Sequence, residues 1–121
     1  MIKRLAKIES ASLNIKDYGV LTFYMIVAYE DGYNQSICGI CLDTYDEQTH
    51  ERVGTAFGCE LIRRLLLELY VNDFSEMAGK HIWVHGDGDG FSFEAKGISA
   101  LYVDNQKSEP VIFSDVLAEF K

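Results

Sequence analysis

The sequence predicts an α+β domain with an antiparallel sheet of about five strands, one main amphipathic helix packed on one face, and a short C-terminal helix. Two observations predict this class. The first third of the chain holds β-branched and aromatic runs separated by turn signals, whereas residues 54 to 70 carry apolar side chains at helical spacing. The resulting order, βββαββα, is typical of a two-layer domain. With 121 residues, the chain is expected to form a single domain, residues 1 to 121.

Three strands are expected before the main helix. The first covers about residues 2 to 15, the second residues 20 to 29, and the third continues through residues 38 to 41. The Asp-Gly pair at residues 31 to 32 predicts a hairpin turn, because it tolerates positive φ. The second strand is apolar on both alternating faces, which predicts a strand covered twice or an outer face that meets a partner. We therefore also expect self-association through this strand.

The main helix is predicted from a stripe of apolar residues that recurs every four positions, namely Phe57, Leu61, Leu65 and Leu69. Thr55 is expected to be its N-cap, and the polar residues Asn72 and Asp73 stand where the helix should end. Charged side chains fall away from the stripe and are expected to pair along the outer face, with Arg64 between Glu60 and Glu68. One face of this helix should therefore cover the sheet.

Two further strands and a short helix are expected after the main helix. The strands are "KHIWVHG" at residues 80 to 86 and "FSFEAKGISALYV" at residues 91 to 103, joined by the turn "DGDG". Gly97 stands where the apolar set shifts by one residue, from Phe91, Phe93 and Ala95 to Ile98, Ala100 and Tyr102, and this predicts a β-bulge. The final helix, "SDVLAEF", is expected to be capped by Ser114.

Charge and composition narrow the classes of partner. Eleven basic and nineteen acidic side chains give a formal net charge of −8, which disfavours direct nucleic-acid binding because that affinity comes largely from Lys and Arg. The acidic balance has two interpretations: it serves solubility alone, or it provides a face complementary to the basic groove of a protein partner. Apolar runs are too short to span a bilayer, and the early charges do not fit a secretory signal, so a cytoplasmic location and no membrane partner are expected.

The stretch "SICGICLDTYDE", residues 36 to 47, raises the question of a metal or redox site. In a strand, side chains alternate between faces, so Cys38 and Cys41 are expected to point to opposite sides as buried thiols. A turn there would be needed to bring them together with His50 and Cys59 around a metal. The carboxylates that follow are the more interesting candidates, because they form an acidic connection from strand to helix that a partner can contact: Asp43, Asp46 and Glu47.

A second acidic candidate is "DGDGF" at residues 87 to 91, where Asp87 and Asp89 resemble the start of a calcium loop. The pattern then fails, since Phe91 occupies the fifth position of such a loop and Ser92 stands at the sixth, where the loop needs glycine. An acidic turn is therefore the favoured interpretation, and no metal is expected. The preceding strand places His81, Trp83 and His85 on one face. Its two histidines are about 13 Å apart, too far to share an ion.

The segment "RVGTAFG", residues 52 to 58, is the alternative ligand site. Free backbone N–H groups at a helix start suit an anion, and Arg52, Gly54, Thr55 and Gly58 are the residues that would bind a phosphate or nucleotide. The P-loop lysine and the dinucleotide spacing are missing, so close packing of the small residues against the sheet is the competing interpretation. No catalytic grouping or cofactor motif is recognisable, and we expect a protein that is not an enzyme.

Four segments, "YGVLTF", "ICLDTYDE", "RVGTAFGCELIRRLL" and "MAGKHIWV", resemble a group of small proteins encoded by bacteriophages and prophages. The resemblance covers about residues 15 to 85 and carries over no functional residue. It implies an accessory protein or inhibitor of host machinery in the host cytoplasm. The sequence thus favours a non-catalytic binding protein that masks a host or phage protein, with anti-defence action of the anti-CRISPR type as one form. The alternatives are a small-ligand binding protein and an accessory factor in phage recombination or replication.

Overall fold

The computed structural model describes residues 1–37, 39–101 and 108–121, and it confirms the α+β class. Within these residues, nine strands and two α-helices occur. The strands are β1 (Ile2–Asn14), β2 (Thr22–Tyr29), β3 (Asn34–Ser36), β4 (Ile40–Cys41), β5 (Asp43–Asp46), β6 (Glu51–Gly54), β7 (His81–Asp87), β8 (Glu94–Ala100) and β9 (Val111–Ile112). The helices are α1 (Ala56–Glu68) and α2 (Phe113–Ala118), with 3₁₀ turns at Phe74–Glu76 and Gly90–Ser92.

Seven of these strands form one antiparallel sheet in the order β3-β2-β1-β7-β8-β9, with β4 also pairing with β2. The remaining pair, β5 and β6, forms a separate hairpin. The sheet is therefore larger than the five strands expected. The additional strands are short, and strands of two to four residues are too short to show an alternating pattern in the sequence.

The first two strands agree with the sequence prediction. Between them, in the turn at residues 16 to 19, Tyr18 and Gly19 adopt positive φ values of 57° and 75°. Gly32 closes the next turn with a φ of 87°, and its N–H donates to the carbonyl of Tyr29 at 2.9 Å. A register shift between Ile8 and Ser10 in β1 was not predicted, because a bulge in a long strand needs no glycine to mark it.

The predicted third strand is interrupted. Gly39, with a φ of 103°, separates β3 from β4, since a strand cannot continue through that conformation. The acidic segment after it is one strand of the β5–β6 hairpin, not a connection that leads straight into the helix. Cys38 lies outside the described residues, and so does the prediction that Cys38 and Cys41 face opposite sides. The prediction of a buried thiol was wrong for Cys41, which is exposed.

The main helix begins as predicted at Thr55, whose side-chain oxygen accepts a hydrogen bond from the Gly58 N–H at 2.9 Å. It ends at Glu68, two residues before the predicted end, and Asp73 caps the following 3₁₀ turn instead. The predicted apolar stripe is buried, with exposures of 9% or less: Phe57, Leu61, Leu65 and Leu69. Glu68 was expected on the outer face, but it is only 7% exposed.

The last elements agree in part with the prediction. Strands β7 and β8 pair with a register shift opposite Gly97, which confirms the predicted bulge. Tyr102, in the predicted extension of β8, lies outside the described residues. The prediction that Ser114 caps the final helix was wrong, because β9 leads directly into α2, and Ile112 takes the cap position without a side-chain hydrogen bond.

The core lies on one face of the sheet, between the sheet and α1. Inward side chains of the central strands are fully buried there, for example Ile8, Met25, Val27 and Val84. The alternate residues of the same strands face away from this core. Ile26 is 42% exposed, and the described elements form no second layer over it. No helix within the described residues is long and apolar enough to cross a membrane.

Candidate functional site

Two surfaces contain the side chains with binding potential. The first is the helix entrance, which consists of the predicted ligand residues Arg52, Gly54, Thr55 and Gly58 before and within the first turn of α1. The second is the open face, which we define as the outward-facing residues of β2, β1 and β7. Of the predicted acidic residues, Asp43 contacts the helix entrance, Asp87 ends β7 on the side of the open face, and the others lie elsewhere.

At the helix entrance, Arg52 forms an ion pair with Asp43. Its Nε and Nη2 atoms donate to Asp43 Oδ1 at 3.1 and 2.8 Å, across the β5–β6 hairpin. Asp43 Oδ2 accepts from the backbone N–H of Leu21 at 3.0 Å, and the Asp43 side chain is only 8% exposed. The hydrogen bond from Arg52 is the main reason why the pKa of Asp43 is lowered to about 2. The pair therefore fastens the hairpin to the start of β2.

The small residues of the helix entrance make close backbone contacts. Thr55 Oγ1 caps the helix and also donates to the carbonyl of Leu42 at 2.8 Å. A Cβ atom at Gly58 would lie 2.2 Å from the same carbonyl oxygen, so only glycine fits there. Gly54 has open space around it. Close packing, one of the two interpretations from the sequence, is thus present at Gly58, and the anion site stays a prediction.

A groove of about 670 Å³ opens beside the helix entrance, between α1, α2 and β4. Its wall is mainly apolar, including the side chains of Phe57, Phe113, Leu117 and Phe120. The thiol of Cys41 lines it too, and donates to the backbone oxygen of Asp43 at 3.0 Å. This lining favours an apolar group over the anion that the sequence predicts.

The predicted acidic residues fall into two separate sets. Asp46 accepts the N–H of Gln48 at 2.9 Å within the hairpin turn, and Glu47 is exposed at its tip. Asp87 lies 3.8 Å from the N-terminal amine, and Asp89 precedes the 3₁₀ turn at Gly90–Ser92. The hairpin adjoins the start of β2, whereas Asp87 adjoins the start of β1, near the end of β2. The length of β2 separates the sets by roughly 25 Å, so they do not form one surface.

The open face has a regular pattern where β1 pairs with β7. Lys3 lies opposite His85, Leu5 opposite Trp83, and Lys7 opposite His81. Directly opposed residues in an antiparallel pair project from the same face, so these six side chains form three rungs. The ammonium of Lys3 lies 4.5 Å from the centroid of the Trp83 ring, within cation–π distance. An apolar rung therefore lies between two lysine–histidine rungs.

Strand β2 extends this face. Ala28 lies opposite Lys7, and Ile26, two residues earlier in β2, projects from the same side. On the other side, His85 Nε2 lies 2.8 Å from the hydroxyl oxygen of Ser99 on β8. Burial, followed by the nearby charge of Lys3, lowers the pKa of His85. His85 is therefore mainly neutral at neutral pH, and the fixed positive charge of this region belongs to the lysines.

Sequence reasoning identified half of this surface. The prediction that His81, Trp83 and His85 share one strand face is confirmed. Lys3 and Lys7 were missed, although their four-residue spacing around Leu5 in a predicted strand already places all three on one face. What the sequence lacked was the pairing of β1 with β7, which brings the lysines beside the histidines. No three His, Cys, Asp or Glu side chains converge as a metal site within the described ranges.

Comparison with protein-family models, curated sequences and solved structures gave no match.

Proposed function

We propose that the chain is a non-catalytic binding protein that acts by covering a surface of a host or phage protein. The observation that carries this proposal is the open face, where Leu5, Trp83 and Ile26 lie on three neighbouring strands without a second layer of described elements over them. An antiparallel sheet normally presents polar side chains to water on such a face. Apolar side chains there are typical of an interaction site.

The chemistry of the face supports contact with a protein. Tryptophan is enriched among the residues that dominate binding energy, and charged groups normally surround such an apolar centre. Trp83 is half-buried and flanked by exposed Lys3 and Lys7. The backbone of β1 and β7 holds these side chains at fixed spacing, so little backbone entropy is lost on binding.

The test compares two variants that place the same charge in different layers. Ile26→Asp puts a carboxylate on the open face, whereas Leu67→Asp puts one on the outer side of α1, where Leu67 is 57% exposed. Each tagged protein is used to purify partners from the host lysate, and the captured protein is identified and reconstituted with the pure chain. We expect a stoichiometric complex with the wild type and Leu67→Asp, and its loss with Ile26→Asp.

Folding is checked for both variants by circular dichroism and thermal unfolding. A complex that survives Ile26→Asp, or that Leu67→Asp disrupts equally, would place the interface elsewhere. A wild-type chain that forms no stoichiometric complex would overturn the proposal itself. Anti-defence action is the finer form of the proposal. It predicts that expression of the chain restores plaque formation by a phage that the host targets with a CRISPR system, and that Ile26→Asp does not.

The helix entrance receives less support as a functional site. An anion there would have to compete with Asp43 for Arg52, because the Nε and Nη2 atoms of that guanidinium already donate to the carboxylate. If the site nevertheless binds nucleotides, the thermal stabilisation that they produce should disappear in Arg52→Ala.

A further inference from the structure

We infer that the segment bound by the open face is acidic and extended, with two carboxylates about 13 Å apart and an apolar side chain between them. This inference rests on the proposed function and specifies the chemistry of the partner. It follows from the three rungs where β1 pairs with β7, from the absence of carboxylate partners for their lysines among the described residues, and from the charge of the rest of the chain.

The geometry of the rungs sets the spacing. Lys3 and Lys7 are four residues apart in one strand, which separates them by about 13 Å at about 3.3 Å per residue. The Leu5–Trp83 rung lies midway. An extended segment that crosses these rungs in line with β1 would place residue i at the first lysine, i+2 at the apolar rung and i+4 at the second lysine. Carboxylate, apolar and carboxylate side chains at those positions match the surface.

The lysines of the open face are available for such contacts. Most other cationic side chains of the described residues are paired with carboxylates: Arg4, Arg52, Arg63, Arg64 and Lys96. Within the described part of the chain, Lys3 and Lys7 have no carboxylate within 4.0 Å, and the ammonium of Lys3 lies over the ring of Trp83. In a chain of net charge −8, the three rungs carry two lysines and no carboxylate, which reverses the sign of the charge there. Asp87, at the end of the same strand face, lies 3.8 Å from the N-terminal amine. A carboxylate-bearing partner is complementary to that reversal.

Two other occupants fit less well. A second copy docked by a two-fold axis through this face would bring the lysines of both copies together, and like charges in close contact oppose association. A single strand of nucleic acid would need aromatic rings free for stacking, but Lys3 already covers Trp83, and the net charge of −8 repels a phosphate backbone. An acidic protein segment carries fewer negative charges than a strand of nucleic acid, and it buries the Leu5–Trp83 rung.

Trp83 provides a local reporter, because it is the only tryptophan of the chain. Its fluorescence is followed while the 121-residue chain is titrated with a short peptide of alternating glutamate and leucine. The same peptide with lysine in place of glutamate and an oligothymidylate of similar length serve as comparison probes. We expect the acidic peptide alone to change the Trp83 emission in a saturable way, with an affinity that falls as salt is added.

The decisive variant is the double substitution Lys3→Glu with Lys7→Glu. Its matched control is Lys16→Glu with Lys121→Glu, which changes the net charge equally at exposed positions in a turn and at the C-terminus. Because each exposed ion pair contributes modestly and the new carboxylates repel the peptide, we expect affinity for the acidic peptide to fall at least about tenfold in the first protein. In the control it should change by less than about twofold.

Each outcome separates the inference from the proposed function. If Ile26→Asp loses the captured partner but the Lys3 and Lys7 variant keeps it, the open face is the interface and the acidic segment is wrong. If the acidic peptide binds but no protein is captured, the preference of the open face for an acidic segment is confirmed and the proposed function is wrong. Stronger quenching by the oligothymidylate, or light scattering that shows a dimer lost in the Lys3 and Lys7 variant, would replace the acidic segment by nucleic acid or by a second copy.

Discussion

Glu68 is a buried carboxylate that joins three segments of the chain. Its Oε2 atom accepts hydrogen bonds from the Ala100 N–H and the Ser108 hydroxyl, and its Oε1 atom accepts from the Glu109 N–H, each at 2.9 Å. These bonds link the end of α1 to the end of β8 and to the residues before β9. We predict that Glu68→Ala strongly destabilises the fold.

The magnitude follows from the exposure of each donor. Ala100 is 8% exposed, so leaving its N–H without the Glu68 acceptor costs about 1–3 kcal/mol. Ser108 and Glu109 are exposed, and water can replace the carboxylate at about 0.5 kcal/mol each. The total is about 3 kcal/mol, which corresponds to a fall in Tm of roughly 10 °C for a domain of this size.

Urea unfolding followed by circular dichroism measures this loss, and Glu60→Ala provides the control. Glu60 lies on the same helix and pairs with Arg63 and Arg64, but such exposed pairs contribute less than about 1 kcal/mol. Glu68→Gln should fall between, because its amide oxygen can still accept from Ala100 while its NH₂ group faces a second donor. If Glu68→Ala were no less stable than Glu60→Ala, the hydrogen bonds of Glu68 would not hold these segments together.

Gly58→Ala should cost about 2 kcal/mol in urea unfolding despite the better helix propensity of alanine, because the new Cβ would lie 2.2 Å from a backbone carbonyl oxygen. Gly54→Ala, with open space around it, should stay within about 0.5 kcal/mol, and equal costs would refute the packing argument. Asp43 has a folded-state pKa lowered to about 2, chiefly by Arg52, so its stabilisation is complete above pH about 4 and is lost as the pH falls to about 2. Asp43→Asn should flatten acid unfolding in that window, whereas Asp46→Asn should leave it steep.

The parts of the fold that sequence predicts are those set by neighbouring residues. The start of α1 at Thr55, the turn at Gly32 and the bulge at Gly97 each depend on a local backbone requirement that a specific residue type meets. Hydrophobic period likewise identified the buried face of α1. The two-residue strand β9 was not predicted, because two residues cannot show a hydrophobic alternation.

The parts that sequence missed depend on contacts between distant residues. Glu68 occupies a position that its spacing assigns to solvent, yet its hydrogen-bond partners lie 32 to 41 positions along the chain. Asp43 looked like a free carboxylate, but it accepts from Leu21, 22 positions away, and from Arg52. In both cases a buried backbone donor needs an acceptor, and only the tertiary structure shows which carboxylate provides it.

The distribution of charge, and not its sum, decides which partner a surface fits. The net charge of −8 predicts an acidic surface for a basic groove, and Glu47 with the β7–β8 turn still offers such positions. However, several carboxylates are engaged within the fold, and the apolar part of the sheet surface is bordered by Lys3 and Lys7. Screening acts on exposed charges over about 10 Å at ordinary salt, so a bound segment is sensitive to these two lysines far more than to the distant acidic hairpin. A partner selected by the open face should therefore be acidic even though the chain itself is acidic.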